Sequence, residues 1–230
     1  MKDTLINVRD LALGHGGKPL CSGVSFEICK GDCIMLCGAN GSGKTTLLKA
    51  ILTMAGEETV MIPTRIPKVA GFTLREFVRI SCFTRSDLGG RLSDADEMSL
   101  DAALRRLSID HLEDRDISTL SDGEFQKAGI ASAVVRKASV ILLDEPTAFL
   151  DAENRISVLR TLRELCGTTA IVFSTHDLHD GLSVATKVFA IGSDGIFRCA
   201  EEDMDKCVET IFSQSLKLFL SLGFISQKEA

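Results

Sequence analysis

The stretch Gly38-Ala39-Asn40-Gly41-Ser42-Gly43-Lys44-Thr45 is the most informative part of this 230-residue sequence. It follows the apolar run Cys33 to Cys37, which predicts a buried strand, and it precedes a helical pattern from Thr46 to Leu52. Glycines allow the backbone to curl until its N–H groups point inward, and the N-terminus of the helix adds partial positive charge. The stretch therefore predicts a phosphate-binding loop. A glycine-rich turn without a ligand is the alternative.

The polar side chains of this loop predict a nucleoside triphosphate bound together with Mg²⁺. We expect Lys44 to contact the β- and γ-phosphates, and the hydroxyl of Thr45 to bind the metal ion. The residues expected to bind the nucleotide through this loop are Gly38, Asn40, Gly41, Ser42, Gly43, Lys44, Thr45 and Thr46.

A second candidate site follows the apolar run Val140 to Leu143, which ends in Asp144 and Glu145. Charged groups are costly to bury, so two carboxylates at the end of a buried strand indicate an ion pair or a functional site. We expect Asp144 to hold Mg²⁺ through its hydration shell, and Glu145 to polarise an attacking water. An ion-paired strand end without chemistry is the alternative.

The segment Leu120-Ser121-Asp122-Gly123-Glu124 precedes an apolar helical pattern. Ser121 and Glu124 have the spacing of a capping box, in which a serine hydroxyl and a carboxylate each satisfy a backbone N–H group at the start of a helix. Capping alone explains this segment locally.

Together these segments resemble the ATP-hydrolysing subunit of an ATP-binding cassette transporter, and the resemblance covers nearly the whole chain. In that family, the segment at 120–124 usually reads Leu-Ser-Gly-Gly-Gln, and its serine and helix N-terminus contact the γ-phosphate held by the other subunit. The resemblance implies this contact for Ser121 and Gly123. The segment Phe149-Leu150-Asp151 is similar to the loop that contacts the dimer partner, which adds Asp151 to the nucleotide site.

Two histidines gain roles from the same resemblance. His176, in Phe173-Ser174-Thr175-His176-Asp177, looks like the switch histidine near the γ-phosphate, and with Lys44 and Glu145 it completes the expected catalytic set. A surface histidine is the alternative. His15 stands where the family usually has an aromatic residue that stacks on adenine, and a plain turn residue is the alternative there.

Short apolar runs that alternate with helical patterns predict an α/β fold with a mainly parallel sheet. The phosphate loop and the resemblance imply that this sheet is a P-loop NTPase core. Leu5 to Leu13 looks like a small antiparallel strand region before the first parallel run, Val24 to Ile28. The strand-free segment 64–138 predicts an inserted helical subdomain. The expected organisation is one ATP-binding cassette domain over 1–230, with a nucleotide-binding core at 1–63 and 139–200, the helical subdomain at 64–138 and a C-terminal helix at 201–230.

Composition restricts the class of protein further. The net charge of −6 argues against nucleic acid as a partner. No apolar run approaches the roughly 20 residues of a membrane-spanning helix, and the start Met1-Lys2-Asp3-Thr4 lacks an export signal, so a cytoplasmic chain is expected. The eight cysteines, among them Cys29, Cys33 and Cys37, fall in apolar segments and are expected to be reduced core residues rather than metal ligands.

The sequence departs from the family in three places. Only residues 46–62 separate the phosphate loop from Pro63, a shorter segment than the family carries. Thr64 stands where the family has a glutamine that touches Mg²⁺, and a threonine reaches the metal only through a water. Asp122 replaces the first signature glycine and Glu124 the glutamine. A carboxylate beside the γ-phosphate repels it by about 1 to 2 kcal/mol, which predicts slow turnover.

The resemblance implies that two identical copies sandwich two ATP molecules, and that hydrolysis powers an integral membrane permease at the inner face of the cell membrane. Gly71 to Val78, Gly90 to Ser93 and Asp110 to Leu112 are similar to the helical subdomain of importers for iron-siderophores, haem and cobalamin. Import of such a chelate is therefore expected. A soluble cassette ATPase that acts as a nucleotide-gated clamp or assembly factor is one alternative, and a binding module that scarcely hydrolyses ATP is another.

Overall fold

The computed structural model describes residues 3–15, 18–82 and 92–211. Its main sheet has six strands in the order β4-β5-β6-β3-β7-β8. The first five of these are parallel, and β8 runs antiparallel to β7. The strands of this sheet are β3 (Cys33–Gly38), β4 (Thr59–Ile62), β5 (Val140–Leu143), β6 (Ala170–Ser174), β7 (Lys187–Ile191) and β8 (Phe197–Ala200).

The central strand β3 shows why this sheet is buried on both faces. All six of its residues are buried, as expected for a parallel strand covered on both sides. Because side chains alternate along a strand, Ile34 and Leu36 pack on one face, and Met35 and Cys37 pack on the other. The sheet therefore separates two hydrophobic cores.

A separate antiparallel pair consists of β1 (Thr4–His15) and β2 (Lys18–Cys29). The predicted antiparallel region is therefore confirmed. The interpretation of Val24 to Ile28 as the first parallel run is wrong, because these residues belong to β2 and pair with β1. An apolar run of this length indicates a strand but not its direction, which depends on a partner elsewhere in the chain. β8 was not predicted at all.

Helices cover the two faces of the main sheet. Helix α1 shares one core with β1 and β2, through Leu47 and Ile51 among others. The opposite core includes α4 and α5. The helices are α1 (Lys44–Ala55), α2 (Leu74–Ile80), α3 (Asp94–Arg106), α4 (Asp122–Val135), α5 (Ala152–Leu165) and α6 (Leu178–Val184).

Between β4 and β5 the described residues form helices and turns, with no strand longer than an isolated bridge between Thr73 and Asp116. Helices α2 and α3 both pack on α4, and the rings of Phe77 and Phe125 lie 5.0 Å apart. The predicted helical segment is present here. Its exact limits, at 64 and 138, stay a prediction, and Gly90 and Arg91 of the importer-like pattern lie outside the described residues.

Five of the eight cysteines are buried, namely Cys21, Cys29, Cys33, Cys37 and Cys166. The expectation of a core position is wrong for Cys199, which is exposed on the edge strand β8, while Cys82 and Cys207 are partly buried. Burial raises the pKa of the Cys37 thiol to about 12, and the described residues contain no cluster of three or more potential metal ligands. Residues 204–211 are helical and bury Val208 and Ile211, whereas the rest of the expected C-terminal helix lies outside the described residues. Within the described ranges, no helix has the length and hydropathy needed to cross a membrane.

Candidate nucleotide site

The predicted phosphate loop joins the end of β3 to the start of α1. A Cβ atom at Gly38 would lie 2.6 Å from the backbone oxygen of Ile191 on the neighbouring strand, which is too close for any other residue. Gly43 has φ 107°, a conformation that side chains rarely tolerate. These two glycines are therefore required by the path of the loop itself.

Among the described residues, no side chain caps the N-terminus of α1. Helices α2, α3 and α4 each begin with a capping box, whereas α1 has no capping side chain and no acidic residue in its first turn. The buried hydroxyl of Ser42 also lacks a partner within the described part of the chain. Unpaired donors at the positive end of a helix fit an anionic group such as phosphate.

Lys44 supplies the positive charge of the loop. Its side chain is only 7% exposed, and Nζ donates to the backbone oxygens of Gly38 (2.9 Å) and Ala39 (3.3 Å). Burial lowers the pKa of Lys44 below its ordinary value, although nearby Glu145 and Asp144 oppose this shift. Because both hydrogen-bond acceptors are neutral carbonyl groups, the ammonium retains charge for a phosphate oxygen.

Thr45 and Asp144 meet at the end of the sheet although they are 99 positions apart in sequence. The Thr45 hydroxyl donates to Oδ2 of Asp144 over 2.8 Å. Ser174, at the end of β6, donates to Oδ1 of the same carboxylate over 2.8 Å and accepts from the backbone N–H of Glu145. A hydroxyl beside a fixed carboxylate is a donor set of hard oxygen atoms, which fits Mg²⁺.

Glu145 follows Asp144 and contacts His176. Nε2 of His176 lies 2.7 Å from Oε1 of Glu145, and both side chains remain partly exposed. Glu145 has φ 51°, a left-handed conformation that is uncommon for a residue with a side chain, so the chain turns sharply here. His176 can thus hold the carboxylate of Glu145 at a position next to solvent. A carboxylate that orients a water must lie where water can reach it.

The segment at the start of α4 forms the predicted capping box. Ser121 accepts from the N–H of Glu124, and Oε2 of Glu124 accepts from the N–H of Ser121 over 2.7 Å. Burial raises the pKa of Glu124, but its hydrogen bonds to Ser121 outweigh burial, so the pKa lies below its ordinary value. Asp122 is ion-paired with Lys68 at 2.8 Å. Ser121 is exposed and its hydrogen bonds tie it to Glu124, not to the phosphate loop of the same chain.

Asp151 caps α5 by accepting from the N–H of Asn154 over 2.8 Å. A Cβ on Gly123 would lie 3.0 Å from the side-chain amide of Asn154, so the first turns of α5 and α4 lie side by side. Asp151 and Gly123 are thus brought together, while their predicted contacts with a nucleotide stay predictions.

Thr64 and His15 are two predicted site residues for which the structure describes no contact with Lys44, Thr45 or Asp144. Thr64 lies half-buried in a cleft of about 450 Å³ that also touches Pro146 and Ala148. His15 ends β1, where its backbone pairs with Lys18, and its side chain lies outside the described residues. Their roles at the metal and the adenine stay predictions.

Sequence reasoning missed two residues of this site. Ser174 connects Asp144 to Glu145, and the only signal was a polar residue at the end of an apolar strand. Lys68 pairs with Asp122 across 54 residues of sequence, and no local pattern indicated it.

Comparisons with known proteins identify the family. A family model described as ABC transporter matches residues 21–148. An ABC transporter ATP-binding protein of Methanocaldococcus jannaschii is 31% identical, over 81% of this chain and 73% of the relative. The achromobactin transport ATP-binding protein of Dickeya dadantii is 29% identical, over 94% and 90%. The zinc import ATP-binding protein of Marinobacter nauticus is 29% identical, over 83% and 76%.

A solved structure gives the same result. The chain is similar to part of a metal-chelate type ABC transporter in an inward-facing conformation, with a TM-score of 0.78 and 26% identity over 86% of this chain and 84% of that one. The α/β fold with its P-loop core and antiparallel pair is confirmed by this match. The chain belongs to the ABC transporter family, and it is an ATPase that uses ATP and Mg²⁺.

Proposed function

We propose that two copies of this chain bind two ATP molecules between them and that hydrolysis drives a membrane permease. The observation that carries the dimer is the position of Ser121. It is exposed at the N-terminus of α4, and its hydrogen bonds do not join it to Lys44, Thr45 or Glu145 of its own chain. A second copy would bring this helix N-terminus to the phosphate loop, with Ser121 and Gly123 as donors.

Within each half of the dimer, different residues of this chain would bind the phosphates, orient the attacking water and hold Mg²⁺. Lys44 and the uncapped N–H groups of α1 would bind the phosphates and offset their charge. Glu145 would orient the attacking water for in-line attack, and His176 would hold the carboxylate in place. Thr45 and Asp144 would hold Mg²⁺, which when bound neutralises charge on the phosphates.

The remaining predicted residues have supporting roles in this proposal. Backbone groups of the loop would surround the phosphates, Thr64 would reach the metal through a water, and His15 would stack on adenine. Asp151 would contact the facing copy from the loop after β5. The loop residues concerned are Gly38, Asn40, Gly41, Ser42, Gly43 and Thr46.

We further propose that the permease sits in the cell membrane, that this chain binds at its cytoplasmic face, and that the cargo is an iron-siderophore, haem or cobalamin-like chelate. The similarity to the achromobactin relative and to the metal-chelate type transporter supports this cargo. The zinc import relative shows that similar chains serve other cargo.

A soluble clamp without a permease is the second candidate, and Thr64 favours it. The family's glutamine at this place links the helical subdomain to the membrane partner, and Thr64 is too short to replace its reach. The clamp would use the same sandwich of two ATP molecules.

One experiment separates the two functions. An affinity-tagged chain, expressed in its source cells and extracted in mild detergent, is purified and its integral membrane partners are identified, with a phosphate-loop variant, Lys44→Ala, as the control for nucleotide-dependent capture. The permease proposal predicts a stoichiometric membrane protein whose addition stimulates ATP hydrolysis. Recovery of the active ATPase with no membrane protein would contradict it and support the clamp.

A further inference from the structure

Lys68 makes three contacts with the start of α4. Its Nζ lies 2.8 Å from Oδ1 of Asp122 and donates to the backbone oxygen of Leu120 over 2.8 Å. The same ammonium lies 5.6 Å from the centre of the Phe125 ring, within range of a cation–π interaction. Lys68 is thereby held against the first turn of the helix that carries Ser121.

Asp122 creates an electrostatic problem at this helix. It stands in the first turn of α4, where its negative charge offsets the partial positive charge of the helix N-terminus. A helix end with that carboxylate unpaired is a poor partner for a phosphate group. The ammonium of Lys68 neutralises the carboxylate where the helix would need to accept an anion.

We propose that Lys68 is a positioning residue for ATP hydrolysis, because its pairing with Asp122 allows the N-terminus of α4 to accept the γ-phosphate held by a facing copy. This inference rests on the proposed sandwich dimer. It also means that the slow turnover expected from Asp122 alone is offset by a residue that lies 54 positions earlier in the sequence.

Stability of the isolated chain does not explain the pair. The Asp122 side chain is 67% exposed, and exposed ion pairs contribute little to folding because water and salt screen them. Docking of a second copy would remove water from this surface, and the same charges would then interact more strongly. The pair therefore matters most in the state in which two copies meet.

A second contact holds the segment that carries Lys68. The guanidinium of Arg65 lies 4.5 Å from the centre of the Phe149 ring, in the loop that follows β5. Segment 64–68 thus contacts the loop after β5 through Arg65 and the start of α4 through Lys68. It lies between the loop after Glu145 and the helix that begins after Ser121, and it contacts both.

The test measures ATP-driven dimerisation in a chain that cannot hydrolyse ATP. In the Glu145→Gln background, light scattering follows the change from monomer to dimer as ATP with Mg²⁺ is added. Lys68→Gln is expected to raise the ATP concentration for half-maximal dimerisation roughly tenfold, since an unpaired carboxylate then faces each phosphate. Lys68→Arg keeps the positive charge, so its ATP concentration for half-maximal dimerisation is expected to stay close to that of the chain with Lys68.

The double variant identifies the cause. In an Asp122→Asn background, Lys68→Gln is expected to change the ATP requirement less than twofold, because no carboxylate remains to be neutralised. Binding of a fluorescent ATP analogue to the monomer, at Lys44, is expected to stay the same in every variant. Lys49→Gln, an exposed lysine on α1, is the control for an equal change of net charge.

Three results would overturn the inference. If the Glu145→Gln chain dimerises with ATP but Lys68→Gln leaves the ATP requirement unchanged, Lys68 has no such role and the sandwich dimer stands. If Lys68→Gln has the same effect with Asp122 and with Asn at that position, the effect is structural. If no variant dimerises with ATP, the proposed dimer fails and this inference fails with it.

Discussion

Nε2 of His176 lies 2.7 Å from Oε1 of Glu145. The two residues meet because β5 and β6 are neighbouring parallel strands in register, with Leu143 opposite Phe173, so the residues that follow each strand emerge at the same edge of the sheet. The same edge carries the phosphate loop after β3. Parallel sheets bind ligands at this edge, where the carboxyl ends of the strands meet.

Glu145→Gln is expected to lower ATP turnover by roughly 10² to 10⁴, because the amide keeps the shape of the carboxylate but cannot act as a base. A phosphate-release assay measures turnover, and ATP binding to the same preparation is expected to be retained. Turnover equal to that of the unmodified chain would show that another group orients the water.

His176→Ala is expected to lower turnover less than Glu145→Gln does, because it removes the support of the carboxylate and not the carboxylate itself. Adding His176→Ala to Glu145→Gln is expected to lower the residual turnover by less than twofold, since residues that act as a unit are not additive. Full additivity in the four phosphate-release rates would mean that the 2.7 Å contact has no part in hydrolysis.

ATP affinity is expected to fall as pH rises through the pKa of Lys44, which lies below that of an exposed lysine. Burial lowers the pKa of Lys44 from its ordinary 10.5, so the free loop loses its positive charge at a lower pH than an exposed lysine would. Bound phosphates favour the charged form, and the affinity is therefore highest below that pKa and falls as pH rises through it. Equilibrium binding between pH 7 and pH 10 measures this, and Lys44→Arg, which stays charged, should show a flatter profile.

Lys187→Met is expected to lower the free energy of unfolding by about 3 to 5 kcal/mol, because it leaves the carboxylate of Asp32 buried without its partner. The ammonium lies 2.9 Å from Oδ2 of Asp32 and 3.0 Å from Oε1 of Glu201, and Lys187 is only 3% exposed. Urea unfolding measures the loss, and Asp32→Asn in the same chain should recover part of it.

The pH dependence of this pair has a definite sign. Burial lowers the pKa of Lys187, but its hydrogen bonds to Asp32 and Glu201 outweigh burial and raise it above 10.5. The stabilisation is thus complete below pH 10.5 and is lost as pH rises through the higher pKa of the folded chain. Lys187 lies opposite Ile34, at the far end of β3 from the phosphate loop, so ATP affinity should not change.

The phosphate loop and the carboxylates could be predicted from sequence because their signals are local. A glycine pattern between an apolar run and a helix specifies the loop after β3, and Asp144 with Glu145 ends an apolar run. Their meeting also follows from general topology, since parallel strands align their carboxyl ends. The contact between Thr45 and Asp144 could be predicted for this reason.

Other features depend on strand order and on side chains far apart in sequence. Ser174 joins Asp144 because β6 lies beside β5, and the sequence does not encode that order locally. Val24 to Ile28 has the composition of a strand in either direction, and only its pairing with β1 decides which. Lys68 and Asp122 are solvated residues until the fold brings them to 2.8 Å.

The most direct test is a crystal structure of the Glu145→Gln chain grown with ATP and Mg²⁺. The account predicts two copies around two ATP molecules, with the triphosphate at Lys44 and the Ser121 hydroxyl of the facing copy about 3 Å from a γ-phosphate oxygen. ATP bound at Lys44, with Ser121 of every neighbouring copy beyond hydrogen-bond distance of the γ-phosphate, would contradict it.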